Sequence, residues 1–251
     1  MSGALMVAIT APLLAFVRIL SCSMTLPFLD RRLISARVRL LIGFALATVI
    51  APTLIGRPIT TPLPVAVLVE ATIGLLLGFL VSLITTSARL AGEIVTQEMG
   101  LSIASVIDPL NGAQVSVVAQ LFELLLLLLF FAVHAHHAVL RVLFHSFDAF
   151  PLGNPHIPFD RFAEMLLVLL AGVFDAALRM ALPLFSVLAL ITVVVALLSR
   201  SVPQVNVLEI GLTSRILVGL AVAGATLPGL IKVATGLIEF FTRQLAELVS
   251  S

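Results

Sequence analysis

Four apolar runs in this chain are longer than the slab that such runs normally cross. Residues 63–107 would reach about 67 Å as one helix at ~1.5 Å per residue. Residues 115–147, 159–200 and 207–249 would reach about 50, 63 and 64 Å. A bilayer core is only ~30 Å thick, and tilt absorbs part of an excess but not a twofold one. Two solutions follow. Either breaks interrupt the runs, around Gly92 and near Pro183 and Pro228, or the helices form tall, bent hairpins whose apolar surface other protein covers. Strands are a poor alternative, because the runs are long and lack alternation of apolar and polar residues.

A chain that is 61% hydrophobic and 11% charged, with a mean hydropathy of +1.23, is an integral membrane protein. Nothing in the sequence marks off a soluble domain. Net charge is +1, so there is no basic surface for nucleic acid. Cys22 is the sole cysteine, which excludes an internal disulfide. The first apolar stretch, roughly residues 3–28, is too long for a signal-peptide core and carries Arg18, so it is expected to be retained. Trp and Tyr are both missing, and with them the usual aromatic belt at the membrane surfaces.

Breaks at 26–35, 51–64, 108–114, 147–160 and 199–206 hold Pro, Gly, Asn or Asp and divide the chain into six apolar segments. Inside the segments lie Arg18, Glu70, Arg89, Glu93, Gln97, Glu98, Glu123, Asp175, Arg179 and Arg215. A charge at the centre of a membrane helix costs ~2.5–3.5 kcal/mol. These groups must therefore face protein or water. Asp175 and Arg179 stand four apart and can pair on one helix face. Gly74 with Gly78, Gly172 with Ala176, and Gly219 with Ala223 have the spacing of close helix packing, a pattern common by chance in apolar helices. Arg31, Arg32, Arg37 and Arg39 cluster after the first segment, which points that end toward the cytoplasm.

Few residues offer chemistry. "HAHH" at 134–137 places His134 and His137 on one helix face, with Glu123 expected on the same helix. No further ligand is in evident reach, so packed or hydrogen-bonded histidines are a better reading than a metal site. No catalytic triad order, HExxH, P-loop or GxGxxG is present, and the chain does not read as an enzyme. A secondary transporter would suit six segments with intramembrane charges, but the halves share no visible repeat.

The break at Asp108-Pro109-Leu110-Asn111-Gly112-Ala113-Gln114 differs from a plain linker. Pro109 cannot donate a backbone hydrogen bond and moves Asp108 out of helical geometry, and Asn111-Gly112 suits a tight turn. Its flanks, "SIAS" and "AQVSV", are small and uncharged. Such a segment suits the inside of a protein or a narrow wet cavity, where irregular backbone survives at membrane depth.

Three stretches carry a resemblance. "PLLAFVRIL" with "LPFLDRRLISARVRLLIGFALATVIAP" (12–52) resembles the opening of the FliR/SctT family of type III export-gate subunits. "AGEIVTQEMGLSIASVIDPLNGAQVSVVAQLFELLLLLLFFAVHAHHAVLRVLFHSF" (91–147) resembles its central signature. "LLSRSVPQVNVLEIGLTSRILVGL" (197–220) is similar to its R-x-x-P-Q-x-N-V-x-x-x-G motif through Arg200, Pro203, Gln204, Asn206, Val207 and Gly211. The chain departs from the family at Ala135-His136, where Gly-His is frequent, and at Thr213-Ser214-Arg215, where Pro-Leu-Lys is frequent.

The resemblance implies an all-α membrane protein of long, bent helical hairpins. A part at about 1–158, including a plug loop at 106–115, would be FliP-like, and the C-terminal hairpin at about 159–251 would be FliQ-like. It implies one copy assembled with FliP and FliQ around a pore, FlhB wrapped at the cytoplasmic side and FlhA nearby. Unfolded flagellar subunits would be the cargo. The setting would be a multi-pass position in the inner membrane, at the flagellar basal body, in contact with lipid. Asp108 to Gln114 would plug the closed pore. Glu93, Gln97, Glu98, Arg200, Pro203, Gln204, Asn206 and Arg215 would serve subunit contacts or gating. No cofactor, metal or nucleic acid is implied. The injectisome counterpart SctT and, from another class, a small-solute transporter remain the alternatives.

Overall fold

The described residues form seven α-helices: α1 Ser2–Thr25, α2 Ala36–Leu54, α3 Leu63–Glu98, α4 Val117–Ala132, α5 Ala135–Ala149, α6 Phe159–Ser201 and α7 Val207–Ser250. The structure is a computed structural model that describes residues 2–29, 34–54, 59, 61–101, 116–201 and 207–250, with backbone alone for 2–9, 207–210 and 250. The 108–114 segment and Pro203, Gln204 and Asn206 lie outside the described residues, as do Arg31 and Arg32. Among the described residues there is no strand. The all-α membrane architecture expected from the composition is the observed one. Among the described residues four helices are long and apolar enough to cross a membrane, and a fifth crossing arises if α4 and α5 act as one broken span.

The breaks expected at 26–35, 51–64, 147–160 and 199–206 each separate two successive helices. The interior breaks do not fall where the sequence suggested them. α3 is continuous through Gly92, α6 through Pro183 and α7 through Pro228. Both prolines lie on exposed helix faces, where each removes one backbone hydrogen bond while the rest of the ladder carries the helix on. The 115–147 run, expected to be one helix, instead bends by 73° between α4 and α5. The turn is at Val133-His134, with His134 in the left-handed conformation (φ 57°, ψ 26°) and no Gly or Pro to announce it. Glu123 and the histidines therefore belong to different helices. α3 also stops at Glu98 rather than Ile107. Gly100 takes φ +76°, its N–H donates to the Gln97 carbonyl at 3.0 Å, and the Leu101 N–H donates to the Thr96 carbonyl at 3.2 Å. That pair of bonds is a Schellman ending with glycine in its left-handed position, so the stop comes before Pro109 is reached.

The chain forms two compact units: Met1–Ile84, His134–Leu170 and Glu239–Ser251 in the first, Thr85–Val133 and Ala171–Ile238 in the second. In the first, α1 lies along α3 in parallel. Gly74 faces Arg18 and Ser21, and Gly78 faces Cys22 and Thr25, so the register offset is constant. A Cβ on either glycine would clash with the facing backbone carbonyl. The glycine pair is thus the contact that lets the two backbones meet. Ala11, Leu14, Ala15, Ile73, Leu77 and Leu80 are among the buried residues of this unit.

In the second unit α3 and α4 are antiparallel: Arg89 meets Glu123, Gly92 meets Ala119, and Thr96 meets Ser116. α6 buries a stripe of Val173, Ala176, Met180, Leu184 and Leu188 at helical spacing. Its other faces stay open, with Leu167 69%, Leu190 63% and Leu197 62% exposed.

Candidate functional site

A charged pin sits in the middle of the first unit. Arg18 on α1 and Glu70 on α3 are both fully buried. The Arg18 Nε donates to Glu70 Oε2 at 2.5 Å. One Nη donates to the Ser146 carbonyl at 2.8 Å and to Ser146 Oγ at 3.3 Å, and the other donates to the Phe150 carbonyl at 2.8 Å. The guanidinium also lies 4.4 Å from the centre of the Phe147 ring. Glu70 uses its second oxygen to accept the Gly153 N–H at 2.9 Å. Gly153 has φ +69°, and its carbonyl accepts from Thr61 Oγ1 at 2.5 Å.

Single-residue reading requires only that Arg18 and Glu70 find partners. The fold has them find each other and then recruits the end of α5 and the loop after it. A buried pair of this kind is tolerable because every remaining polar atom is also engaged. Two opposite charges in two apolar segments were the available signal. The backbone partners at 146, 150 and 153 had none.

The second arrangement is a stem. Arg89 Nη2 stands 2.8 and 2.9 Å from the two oxygens of Glu123, and Nε donates at 3.2 Å. One turn further along, Gly92 allows the Ala119 backbone to approach. Another turn on, the hydroxyls of Thr96 and Ser116 hydrogen-bond. Ser116 caps α4 by accepting the Ala119 N–H at 3.3 Å, and Thr96 Oγ1 donates to the Gly92 carbonyl at 2.7 Å. The helix ends that flank residues 102–115 are thus clamped side by side. Sequence reading found the break itself but not Gly100, Thr96 or Ser116, which fix its entry and exit.

Other candidates are more dispersed. Glu93 and Gln97 continue the exposed face of α3 beyond Arg89, and Glu98 is half-buried at the helix end. Arg200 is exposed at the end of α6. Arg215 is partly buried on α7, where its Nε has no hydrogen-bond partner among the described residues. One turn along α7, Gly219 sits against Met99, since a Cβ there would stand 2.6 Å from Met99 Cε. Asp175 and Arg179 pair at 2.8 Å as their spacing predicted, on an open face where such a pair adds only a few tenths of a kcal/mol. Arg39 is buried in the first turn of α2 and donates to the Leu29 carbonyl.

The His134 and His137 rings stack with centres 5.7 Å apart, and those of His136 and His137 are 4.2 Å apart. No group of three His, Cys, Asp or Glu among the described residues has the geometry to hold a metal ion.

Pinned helices and a clamped loop stem hold and position; they do not supply a nucleophile with its base. Residues 9–241 match the family model described as bacterial export proteins, family 1. Similar curated proteins include the flagellar biosynthetic protein FliR of Bacillus subtilis, 31% identical over 82% of this chain and 82% of that protein. The FliR of Escherichia coli is 30% identical over 93% and 90% of the two chains, and that of Pectobacterium carotovorum is 32% identical over 85% and 82%. A family model spanning nearly the whole chain, together with these relatives, shows that the chain belongs to family 1 of the bacterial export proteins.

Proposed function

We propose that this protein is a core subunit of the flagellar export gate. It joins FliP and FliQ in the inner membrane at the basal body and lines the pore through which unfolded flagellar subunits leave. FlhB and FlhA are its further partners. Membership of an export family, rather than an enzyme family, supports the coarse role. The relatives named above are flagellar, which favours this setting over an injectisome. About 1–158 would be the FliP-like part and about 159–251 the FliQ-like hairpin.

Asp108 to Gln114 act as the plug of the closed pore in this reading. The observation that carries it is the clamped stem. α3 and α4 are locked together by Arg89–Glu123, Gly92–Ala119 and Thr96–Ser116 up to the point where the loop leaves. A loop that must block a channel needs fixed ends, and a solvated linker does not. Glu93, Gln97, Glu98, Arg200, Pro203, Gln204, Asn206 and Arg215 serve contacts with neighbouring subunits or gating.

Deleting Leu110 to Ala113 tests the plug. The complex should still assemble, and cells should become leaky to ions or small solutes. An assembled deletion mutant with unchanged leak removes the plug role. Co-purification tests the gate itself: a monodisperse homo-oligomer with solute transport activity would establish the transporter instead.

A further inference from the structure

α5 and the end of α7 enclose a groove in the first unit that the export role leaves unused. Its volume is about 610 Å³. Ala138, Arg141, Val142 and His145 line it from α5, and Glu239, Thr242, Arg243, Ala246 and Val249 from α7. On each helix these positions recur at three and four residues, so one face of each contributes. Arg141 and Arg243 are exposed, and neither has a hydrogen-bond or ion-pair partner among the described residues. With Glu239 the three charged groups sum to one positive charge. The remaining lining is aliphatic, apart from Thr242 and His145.

The place of the groove along α7 gives its surroundings. Residues 216–231 carry no charge, and Lys232, Glu239, Arg243 and Glu247 then follow. An apolar helix that turns charged in this way is leaving the hydrocarbon for the headgroup layer. Basic pockets between membrane helices at that depth suit anionic lipid headgroups. The size discriminates further. A helix is ~10 Å across, so 610 Å³ would admit under about two turns of one. An acyl chain is far slimmer, and the volume falls in the ~300–1,000 Å³ range of sites for small ligands.

We propose that this groove seats one anionic glycerophospholipid. Its phosphodiester bridges Arg141 and Arg243, and an acyl chain lies against Ala138, Val142, Ala246 and Val249. The single net positive charge of the groove matches the single charge of such a headgroup. The lipid would tie α5 to α7, two helices far apart in sequence, at the membrane surface.

Native mass spectrometry of the full-length protein in detergent, titrated with phosphatidylglycerol or phosphatidylcholine, tests the proposal. One phosphatidylglycerol per chain should be retained at least about tenfold better than phosphatidylcholine. R141Q/R243Q should weaken that retention by roughly fivefold per arginine, since each cation near a headgroup contributes ~1 kcal/mol. R141K/R243K should keep most of it. Glycerol phosphate at the same concentration should not displace the lipid. Equal retention of the two lipids overturns the proposal, and so does undiminished retention in R141Q/R243Q. Displacement by glycerol phosphate would make the site one for a free phosphate. Cross-linking of A246C to a protein subunit in the assembled complex would make it a subunit interface. Should R141Q/R243Q fail to fold, the comparison of the two lipids on the unaltered protein still decides.

Discussion

Arg18 and Glu70 show at residue scale how an apolar chain holds a charge. Each satisfies the other, and backbone groups from Ser146, Phe150 and Gly153 take up the rest. Glu70→Ala leaves the guanidinium buried without its counter-charge, and the expected loss is about 3–5 kcal/mol. Glu70→Gln keeps an acceptor for one partner and should lose less. Thermal melting in detergent, followed by circular dichroism, measures both, and an unchanged melt for Glu70→Ala would mean that the pair does not stabilise the fold. His134 poses a different problem, because a side chain sits where φ is positive. His134→Gly should be neutral or stabilise by up to about 1 kcal/mol, whereas His134→Val should cost about 1–3 kcal/mol. The same melts decide, and equal melting of the two variants would show that the turn carries no strain.

At the scale of elements, glycine pairs and helix ends set which helices meet. Gly74 and Gly78 bring α1 against α3, and added methyl groups would strike the carbonyls of Arg18 and Cys22. Gly74→Ala and Gly78→Ala should each destabilise by about 1–3 kcal/mol through overpacking. Gly224 has open space around it, so Gly224→Ala should be neutral or slightly stabilising, as expected for an unobstructed helical glycine. Comparing the three melts separates packing from helix propensity; equal shifts in all three would argue against the α1–α3 contact. The stem of α3 and α4 obeys the same logic. Gly92 sets the approach, and the flanking Arg89–Glu123 pair and hydroxyl contact set the register.

The whole molecule leaves too much apolar surface uncovered to be a finished object. Only 17% of the apolar window of α6 and 6% of that of α7 is buried, although these helices have 43 and 44 residues and reach about 65 Å. A ~30 Å core covers half of such a length at best. The remaining surface calls for protein neighbours, since exposed apolar patches of this size mark interaction sites. Expressed alone, the chain should accumulate to a lower level and aggregate faster on storage in detergent than when it is made with its partners. Expressed with FliP-like and FliQ-like subunits, it should elute with them as one species on size exclusion. A stable, monodisperse single chain would contradict that expectation.

The sequence by itself determined the helical membrane class, because 61% hydrophobic residues in long runs without alternation allow little else. It also determined that Arg18, Glu70, Arg89 and Glu123 need partners, since an unpaired charge in an apolar helix is too costly to leave. The Asp175–Arg179 pair was legible because four residues along a helix is a local distance. Which distant groups would meet was not legible: Arg18 with Glu70, Arg89 with Glu123, and Thr96 with Ser116 are 52, 34 and 20 positions apart. Local propensity located the breaks between the runs but not those inside them. Pro183 and Pro228 were absorbed into continuous helices, while His134 turned the chain by 73° with no residue that favours a turn. Only the tertiary structure decided the distant pairs, because which helix faces pack together, and not any local preference, brings groups 20 to 52 positions apart into contact.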